Sequence, residues 1–289
     1  MKMATDPDIA VQLAQMPTEV TGGKATGHQG VPPLLSVEHL VKNFGPVRAV
    51  DDVSLDFYEG EVLGLVGDNG AGKSTLLSLL TGYNHADSGV FRYRGKLVTH
   101  TSPSTSRKSL KIEMIYQHLD LAPDLTVWQN LFLAEEKRRF KILLDKHSMR
   151  HRATQVLEEL ASKIRPDDLV GALSGGEQQV VAIARALLFE RDIVLMDEPT
   201  AAISLNKVRD VLDLVLRLKR LGKAVVLVSH RLEDILEVSD RIAILSRGAI
   251  AQIVDNDHQI SVTDLARMMF EGAVYRAAGG ENGKTSEGV

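Results

Sequence analysis

The chain of 289 residues contains no cysteine. It therefore cannot form disulfides, zinc ribbons or iron–sulfur clusters, and it cannot use a thiolate as a nucleophile. It also has no excess of positive charge, because 34 Lys and Arg residues are balanced by 38 Asp and Glu residues, for a net charge of −4. A general polyanion-binding protein would be basic. The composition therefore argues against nucleic acid as the partner.

Long hydrophobic runs are also missing. No stretch approaches 18 uninterrupted apolar residues, and the best runs, such as Ile193–Met196 and Ala224–Val228, are short. The amino-terminal segment MKMATDPDIAVQLAQMP lacks the apolar region of a secretory signal and carries Asp6 and Asp8. We expect that this chain does not cross a bilayer by itself.

The remaining composition is that of a globular protein, with 44% hydrophobic and 25% charged residues. Residues 1–33 are rich in Gly, Pro, Thr and Gln, which predicts a disordered arm, and residues 277–289 predict a flexible tail. Between them, residues 34–276 alternate β-type runs with helical patterns, which predicts one α/β domain with a largely parallel sheet. Leu and Val at helical spacing predict a helical insertion over about 119–173.

The predicted elements follow from these patterns. The predicted strands are Leu34–Phe44, Val47–Phe57, Glu61–Val66, Val90–Val98, Glu113–Tyr116, Ile193–Met196, Ala224–Ser229 and Arg241–Leu245. The predicted helices run from near Gly72 to Leu80 and over His147–Ala161, Glu177–Leu188, Leu205–Leu221 and Arg231–Val238.

The strongest local pattern is GDNGAGKST at Gly67–Thr75, which fits G-x-x-x-x-G-K-[ST] between a predicted strand and a predicted helix. Glycines let successive N–H groups turn toward an anion, and the helix N-terminus adds positive potential. Lys73 would reach the β- and γ-phosphates, and the Ser74 hydroxyl would bind Mg²⁺. The predicted nucleotide-binding residues here are Gly67, Asn69, Gly70, Gly72, Lys73, Ser74 and Thr75. The alternative is an ordinary glycine-rich turn.

Two carboxylates follow the apolar run Ile193–Met196, at the strand end where open α/β sheets hold ligands. Asp197 is placed to hold Mg²⁺, directly or through water, and Glu198 to act as general base on an attacking water. The alternative is a solvated acidic turn.

The segment LSGGEQQ at Leu173–Gln179 precedes a strongly helical run. Ser174 is a natural N-cap, and Gly175 and Gly176 leave backbone donors free at the helix start, which predicts a second anion site. The alternative is a capped helix in which Glu177 completes a capping box.

In this order and spacing, the three segments resemble the Walker A, Walker B and signature motifs of the nucleotide-binding subunit of ATP-binding cassette (ABC) transporters. The resemblance covers roughly residues 34–272. It implies the P-loop NTPase fold of ABC ATPases, with a mostly parallel RecA-like sheet, an antiparallel β subdomain and a helical subdomain. It also implies ATP hydrolysis with Mg²⁺.

The resemblance assigns further residues. Gln117 matches the Q-loop glutamine, which contacts Mg²⁺ and senses the γ-phosphate, and His230 matches the switch histidine, which contacts the γ-phosphate. Phe44 matches the aromatic that stacks on adenine, although Val50 and the neighbouring strand could also supply that wall. Ser204 stands where the family commonly has the D-loop Asp, which implies altered communication between sites.

The segment IYQHLDLAPDLTVWQNLFLAEE resembles the carbohydrate-uptake branch (ribose, xylose, galactose and fructose types). This implies a peripheral ATPase at the cytoplasmic face of the cell (inner) membrane, powering sugar uptake through separate membrane permease subunits and, indirectly, a periplasmic or extracellular solute-binding protein. With a single cassette, the chain would pair with a second copy in an ATP-sandwich dimer, where Ser174 and Gly176 close over the γ-phosphate held by the other copy.

The resemblance also places the permease contact between His118 and Trp128, while Leu131 is expected in the core of the insertion. The alternatives are an importer of a non-sugar solute, an exporter subunit, a non-catalytic ATP-binding regulator, and a soluble ABC ATPase that acts in translation or DNA repair.

Overall fold

The computed structural model describes residue 28 and residues 30–98, 102–117, 119–136, 138–139, 143–201, 203 and 205–279. Most of the predicted arm, His118, Ser204 and residues 280–289 lie outside this set. Within it, no helix is long and apolar enough to cross a membrane.

Six strands form the central sheet, in the order β12-β11-β3-β10-β9-β6. These strands are β3 (Val62–Val66), β6 (Ile112–Ile115), β9 (Ile193–Asp197), β10 (Ala224–Val228), β11 (Arg241–Ser246) and β12 (Ala249–Asp255). All neighbours pair in parallel except β11 and β12, which form an antiparallel hairpin. The predicted, mostly parallel sheet is confirmed.

Alternate residues of these strands pack into two separate cores. Val62, Val194 and Met196 join the core on the side of the long helices. Their neighbours Leu63 and Leu195 join the core on the other side. Side chains alternate across a strand, so strands that are apolar at every position must be covered on both faces.

A second sheet covers one of those faces. Its order is β2-β1-β4-β5, every pair is antiparallel, and its strands are β1 (Leu35–Phe44), β2 (Val47–Phe57), β4 (Ser88–Tyr93) and β5 (Lys96–Val98). The predicted single strand Val90–Val98 was wrong, because this segment is a hairpin. Arg94 (φ 49°) and Gly95 (φ 74°) are both left-handed, which is the geometry of a tight hairpin turn.

The described residues contain seven α-helices of five or more residues: α1 (Lys73–Leu80), α2 (Val127–Leu131), α3 (Lys146–Glu159), α4 (Gly175–Leu188), α5 (Leu205–Arg220), α6 (Leu232–Val238) and α7 (Val262–Gly279). Short helical turns cover Pro103–Thr105, Ser106–Leu110 and Val170–Ala172. Strand β12 and helix α7 were not predicted, and α7 extends past the predicted domain boundary at residue 276.

The predicted helical insertion contains α2 and α3 and also a short ribbon, β7 (Arg138–Arg139) with β8 (Leu143–Leu144). Trp128 (5% exposed) and Leu131 (1%) are buried in the core that this insertion shares with α4. The expected core position of Leu131 is therefore confirmed, and Trp128 offers no free surface to a partner.

Candidate nucleotide site

The segment Gly67–Thr75 connects β3 to α1, as its pattern requires. Two of its glycines are needed because the backbone of other segments comes close. A Cβ at Gly67 would lie 2.3 Å from the Leu245 carbonyl oxygen, and one at Gly72 would lie 2.4 Å from the Ala49 carbonyl oxygen. Gly72 is also left-handed, with φ 106°. The loop is thus packed against both sheets, which fixes the direction of its N–H groups.

Lys73 opens α1 and is only 8% exposed. Its ammonium donates hydrogen bonds to the carbonyl oxygens of Gly67 (2.6 Å) and Asp68 (3.0 Å). Burial lowers the pKa of Lys73, while Glu198, Asp197 and Asp68 oppose that shift. The loop therefore holds a desolvated cation at its centre.

Asp197 and Glu198 lie at the carboxyl end of β9, and His230 follows the neighbouring strand β10. The parallel register pairs Asp197 with Val228, so the two strand ends coincide. His230 Nε2 then lies 2.7 Å from Glu198 Oε1. Glu198 has a left-handed backbone (φ 51°), and its N–H donates to the Val228 carbonyl oxygen (2.9 Å). A non-glycine residue in this conformation is strained, as is common at active sites.

Burial is the main cause that raises the pKa of the Asp197 carboxyl above its ordinary value. The adjacent Glu198 carboxylate adds to the increase, while Lys73 and His230 oppose it. Adjacent carboxylates supply hard oxygen ligands of the kind that a divalent metal ion binds.

These groups share one cavity of about 520 Å³, which we call the P-loop cavity. It is lined by the predicted residues Asn69, Gly70, Gly72, Lys73, Ser74, Thr75, Asp197, Glu198 and His230. Sequence reasoning missed six other lining residues: Ala71 within the loop, and Val47, Arg48, Ala49, Arg247 and Gly248 outside it. The Arg-Gly dipeptide between the apolar runs at 241–245 and 249–254 was an available turn signal for the last two.

Phe44 does not line the P-loop cavity. It lies opposite Val47 in the β1–β2 register, at the rim, and is 46% exposed. The Lys42 ammonium lies 5.5 Å from the centroid of its ring. One face of the predicted adenine-stacking ring therefore already has a cation near it.

Gln117 lines a second cavity of about 370 Å³, which we call the Gln117 cavity. Its lining residues are Gln117, Leu119, Asp120, Leu121, Gly175, Gln178, Gln179, Glu198, Pro199 and Ile203. Glu198 is common to both cavities, whereas Ser74 and Asp197 line only the P-loop cavity. Gln117 and Glu198 thus line one cavity, whereas Ser74 and Asp197, the other predicted Mg²⁺ ligands, line the other.

Ser174, Gly175 and Gly176 lie at the N-terminal end of α4. The Ser174 backbone N–H and its hydroxyl both donate to Glu177 Oε2 (2.8 and 2.7 Å), and the Lys207 ammonium donates to Ser174 Oγ (3.1 Å). None of the three lines the P-loop cavity of its own chain. The segment is therefore a formed helix cap that lies away from Lys73.

Several proteins named as import ATP-binding proteins are similar to this chain in sequence. The xylose/arabinose import ATP-binding protein XylG of Sulfolobus acidocaldarius is 45% identical over 218 residues, covering 75% of this chain and 86% of that protein. The fructose import ATP-binding protein FrcA of Rhizobium meliloti is 38% identical over 245 residues, covering 82% and 94%. The ribose import ATP-binding protein RbsA of Caldanaerobacter subterraneus is 38% identical over 237 residues. The chain spans about half of that longer relative (47%).

Solved structures of ABC transporter cassettes have the same fold as this chain. An ATP-binding cassette of an ABC transporter in its ADP conformation superposes with a TM-score of 0.73 at 28% identity, covering 84% of this chain and 98% of that one. A bacterial ABC transporter cassette solved as a dimer superposes with a TM-score of 0.63 at 25% identity, covering 76% and 98%. The ABC transporter family matches residues 50–201, which include the phosphate loop, Gln117, the Ser174 cap and both carboxylates. The chain belongs to the ABC transporter family.

Proposed function

We propose that the chain is the ATP-hydrolysing subunit of a sugar importer. The observation that carries this proposal is the P-loop cavity, in which one desolvated lysine, two carboxylates and a histidine surround a helix N-terminus. The names of the relatives, which are import proteins for xylose/arabinose, fructose and ribose, support the sugar as substrate.

The chain's own residues bind the triphosphate. Backbone N–H groups of the loop and the α1 terminus face the phosphates, and Lys73 exchanges its hydrogen bonds with Gly67 and Asp68 for phosphate oxygens. Because the ammonium is buried, its attraction for phosphate is stronger than in water.

The cavity also fits Mg²⁺. Ser74 and Asp197 offer a hydroxyl and a carboxylate, which are the hard oxygen ligands that Mg²⁺ prefers. No cluster of three or more His, Cys, Asp or Glu side chains that could hold a metal occurs among the described residues, which suits an ion completed by phosphate oxygens and water. Bound Mg²⁺ would neutralise charge on the β- and γ-phosphates. Gln117 would reach the ion only from the neighbouring Gln117 cavity.

Glu198 is the proposed general base. Its left-handed backbone and the contact with His230 hold the carboxylate at the edge of the P-loop cavity. There it accepts a proton from the water that attacks the γ-phosphate. His230, once the nucleotide is bound, can turn from Glu198 to the γ-phosphate.

The proposed active form is a dimer. Ser174 and Gly176 do not line the P-loop cavity of their own chain, so they would meet a phosphate at Lys73 only if a second copy supplied them. The similarity to a cassette solved as a dimer supports this arrangement.

Transport requires membrane partners. We propose that the chain binds permease subunits at the cytoplasmic face of the membrane, that a solute-binding protein delivers the sugar, and that residues 119–126 belong to the permease contact. Among these residues Asp120 and Asp124 are exposed, and Leu119 and Leu121 are partly buried.

The test is reconstitution in proteoliposomes with membrane permease subunits that co-purify with this chain. We expect ATP-dependent uptake of radiolabelled pentose or hexose that stops when Lys73→Ala replaces the wild-type chain. ATP hydrolysis without any binding to the permease would instead support a soluble ABC ATPase. Uptake of a non-sugar solute alone would contradict the proposed substrate.

A further inference from the structure

The turn Arg247–Gly248, which joins β11 to β12, forms one wall of the P-loop cavity. In the central sheet, β11 lies on one side of β3, and β10 and β9 lie on the other. The phosphate loop continues β3, while Glu198 and His230 follow β9 and β10. The Arg247–Gly248 turn and the pair Glu198 and His230 therefore lie on opposite sides of the phosphate loop. Because Glu198 and His230 are proposed to act on the γ-phosphate, the nucleoside would lie on the side of the turn.

This turn is held firmly against the phosphate loop. The Gly248 N–H donates to the Ala71 carbonyl oxygen (2.8 Å), and the Asp51 N–H donates to the Gly248 carbonyl oxygen (2.7 Å). A Cβ at Gly248 would lie 3.0 Å from the Ala49 carbonyl oxygen, so the backbones are in close contact. The position of the Arg247 backbone relative to the phosphate loop is thus fixed by its neighbour Gly248.

The Arg247 side chain is exposed, and no ion pair or hydrogen bond joins its guanidinium to any residue that the structure describes. The other arginine of this wall differs, because Arg48 Nε lies 2.8 Å from Asp51 Oδ1. Arg247 therefore keeps its planar cation available to a ligand in the P-loop cavity.

No Phe, Tyr or Trp is among the lining residues of the cavity, and Phe44 lies at its rim. Guanidinium groups stack on aromatic faces and are weakly hydrated, whereas an ammonium is a compact point charge. We propose that the Arg247 guanidinium stacks on the base of the bound nucleotide and helps to set its affinity. This inference rests on the proposed function.

The test measures binding rather than turnover. Calorimetry with ATP, ADP and inorganic tripolyphosphate, each with Mg²⁺, would compare the wild type with Arg247→Ala, Arg247→Lys and Arg209→Ala. Arg209→Ala is the control, because Arg209 is exposed and does not line the P-loop cavity. It removes one positive charge, as Arg247→Ala does, but away from the cavity. We expect Arg247→Ala to weaken ATP and ADP binding by roughly 3- to 10-fold. Arg247→Lys should recover little of this loss, and Arg209→Ala should bind like the wild type.

Tripolyphosphate has no base, so its binding distinguishes a contact of Arg247 with the base from a contact with the phosphates. If Arg247 stacks on the base, Arg247→Ala binds tripolyphosphate as well as the wild type does. An equal loss for tripolyphosphate, or full recovery by Arg247→Lys, would overturn the stacking. ATP affinity equal to that of Arg209→Ala would overturn the contact altogether. If the wild-type chain bound no nucleotide, the proposed function itself would be refuted. Failure of the stacking proposal and failure of the proposed function therefore give different results.

Discussion

The two cavities that meet at Glu198 differ in chemistry. The P-loop cavity combines cations with carboxylates and exposed backbone, as a site for a polyanion and a metal would require. The Gln117 cavity contains, besides Glu198, one charged residue, Asp120, among amides and leucines. The first is suited to phosphate chemistry and the second to protein contact. Since Glu198 lines both cavities, a movement of its side chain on nucleotide binding would also alter the Gln117 cavity.

The largest effect is expected when the Lys73 ammonium is removed from the P-loop cavity. Lys73→Ala removes the buried ammonium that faces the β- and γ-phosphates, so we expect ATPase activity to fall by at least about 10²-fold, with weaker ATP binding. Steady-state phosphate release measures the loss. Lys96→Ala, at an exposed lysine of β5, is the control and should keep full activity. Undiminished turnover in Lys73→Ala would reject this loop as the phosphate site.

The next largest effect is expected at Glu198, the residue that lines both cavities. Glu198→Gln keeps the size of the side chain but cannot accept a proton, so turnover should fall about 10²–10⁴-fold while ATP still binds. Glu190→Gln is a close control, because Glu190 is also a left-handed glutamate (φ 52°) and is exposed outside both cavities. Size-exclusion chromatography with Mg-ATP should show a dimer for Glu198→Gln. A mutant that is loaded with ATP yet strictly monomeric would contradict the sandwich.

A smaller effect tests the protein contact proposed beside the Gln117 cavity. Asp124 is exposed and lines neither cavity. Asp124→Lys should leave the ATPase of the isolated chain unchanged and reduce uptake by the assembled transporter at least about threefold, because reversed charge disfavours docking. The control is Asp257→Lys, at an exposed residue after β12. Normal uptake with Asp124→Lys would count against contact at this position.

The smallest effect concerns stability. Burial and Glu198 raise the pKa of Asp197, so the native chain binds this proton more tightly than the unfolded chain. The stabilisation is present below the ordinary value of 3.8 and is lost as pH rises through the raised pKa. Asp197→Asn should therefore raise the Tm of the nucleotide-free chain at neutral pH by about 1–4 °C.

Thermal scans at several pH values check this prediction, with the exposed Asp210→Asn as control. The gain should shrink as the pH falls through the raised pKa of Asp197, because the wild-type carboxyl then takes up its proton. A lower Tm at neutral pH would show that ionised Asp197 stabilises the empty cavity.

Much of this architecture was predictable, because local patterns define the central elements. The apolar run Ile193–Met196 and the glycine-rich loop at Gly67–Thr75 indicate a strand, a turn and a helix start without long-range information. The hairpin at Ser88–Val98 was mistaken for one strand although Gly95 is a turn signal, because Arg94 before it is not a typical turn former. Strand β12 was missed, since an edge strand depends on its pairing with β11.

The sequence alone predicted which residues would bind phosphate and metal, since glycine spacing, a lysine and two carboxylates have specific chemistry wherever they lie close together. Only the tertiary structure decided which of them meet. Parallel register brings Asp197 to the end of β10 and His230 to Glu198, although they are far apart in the chain. The same packing carries Arg247 to the phosphate loop and leaves Phe44 at the rim. Motifs are local in sequence, but the walls of a cavity come from strands that pair across the whole domain.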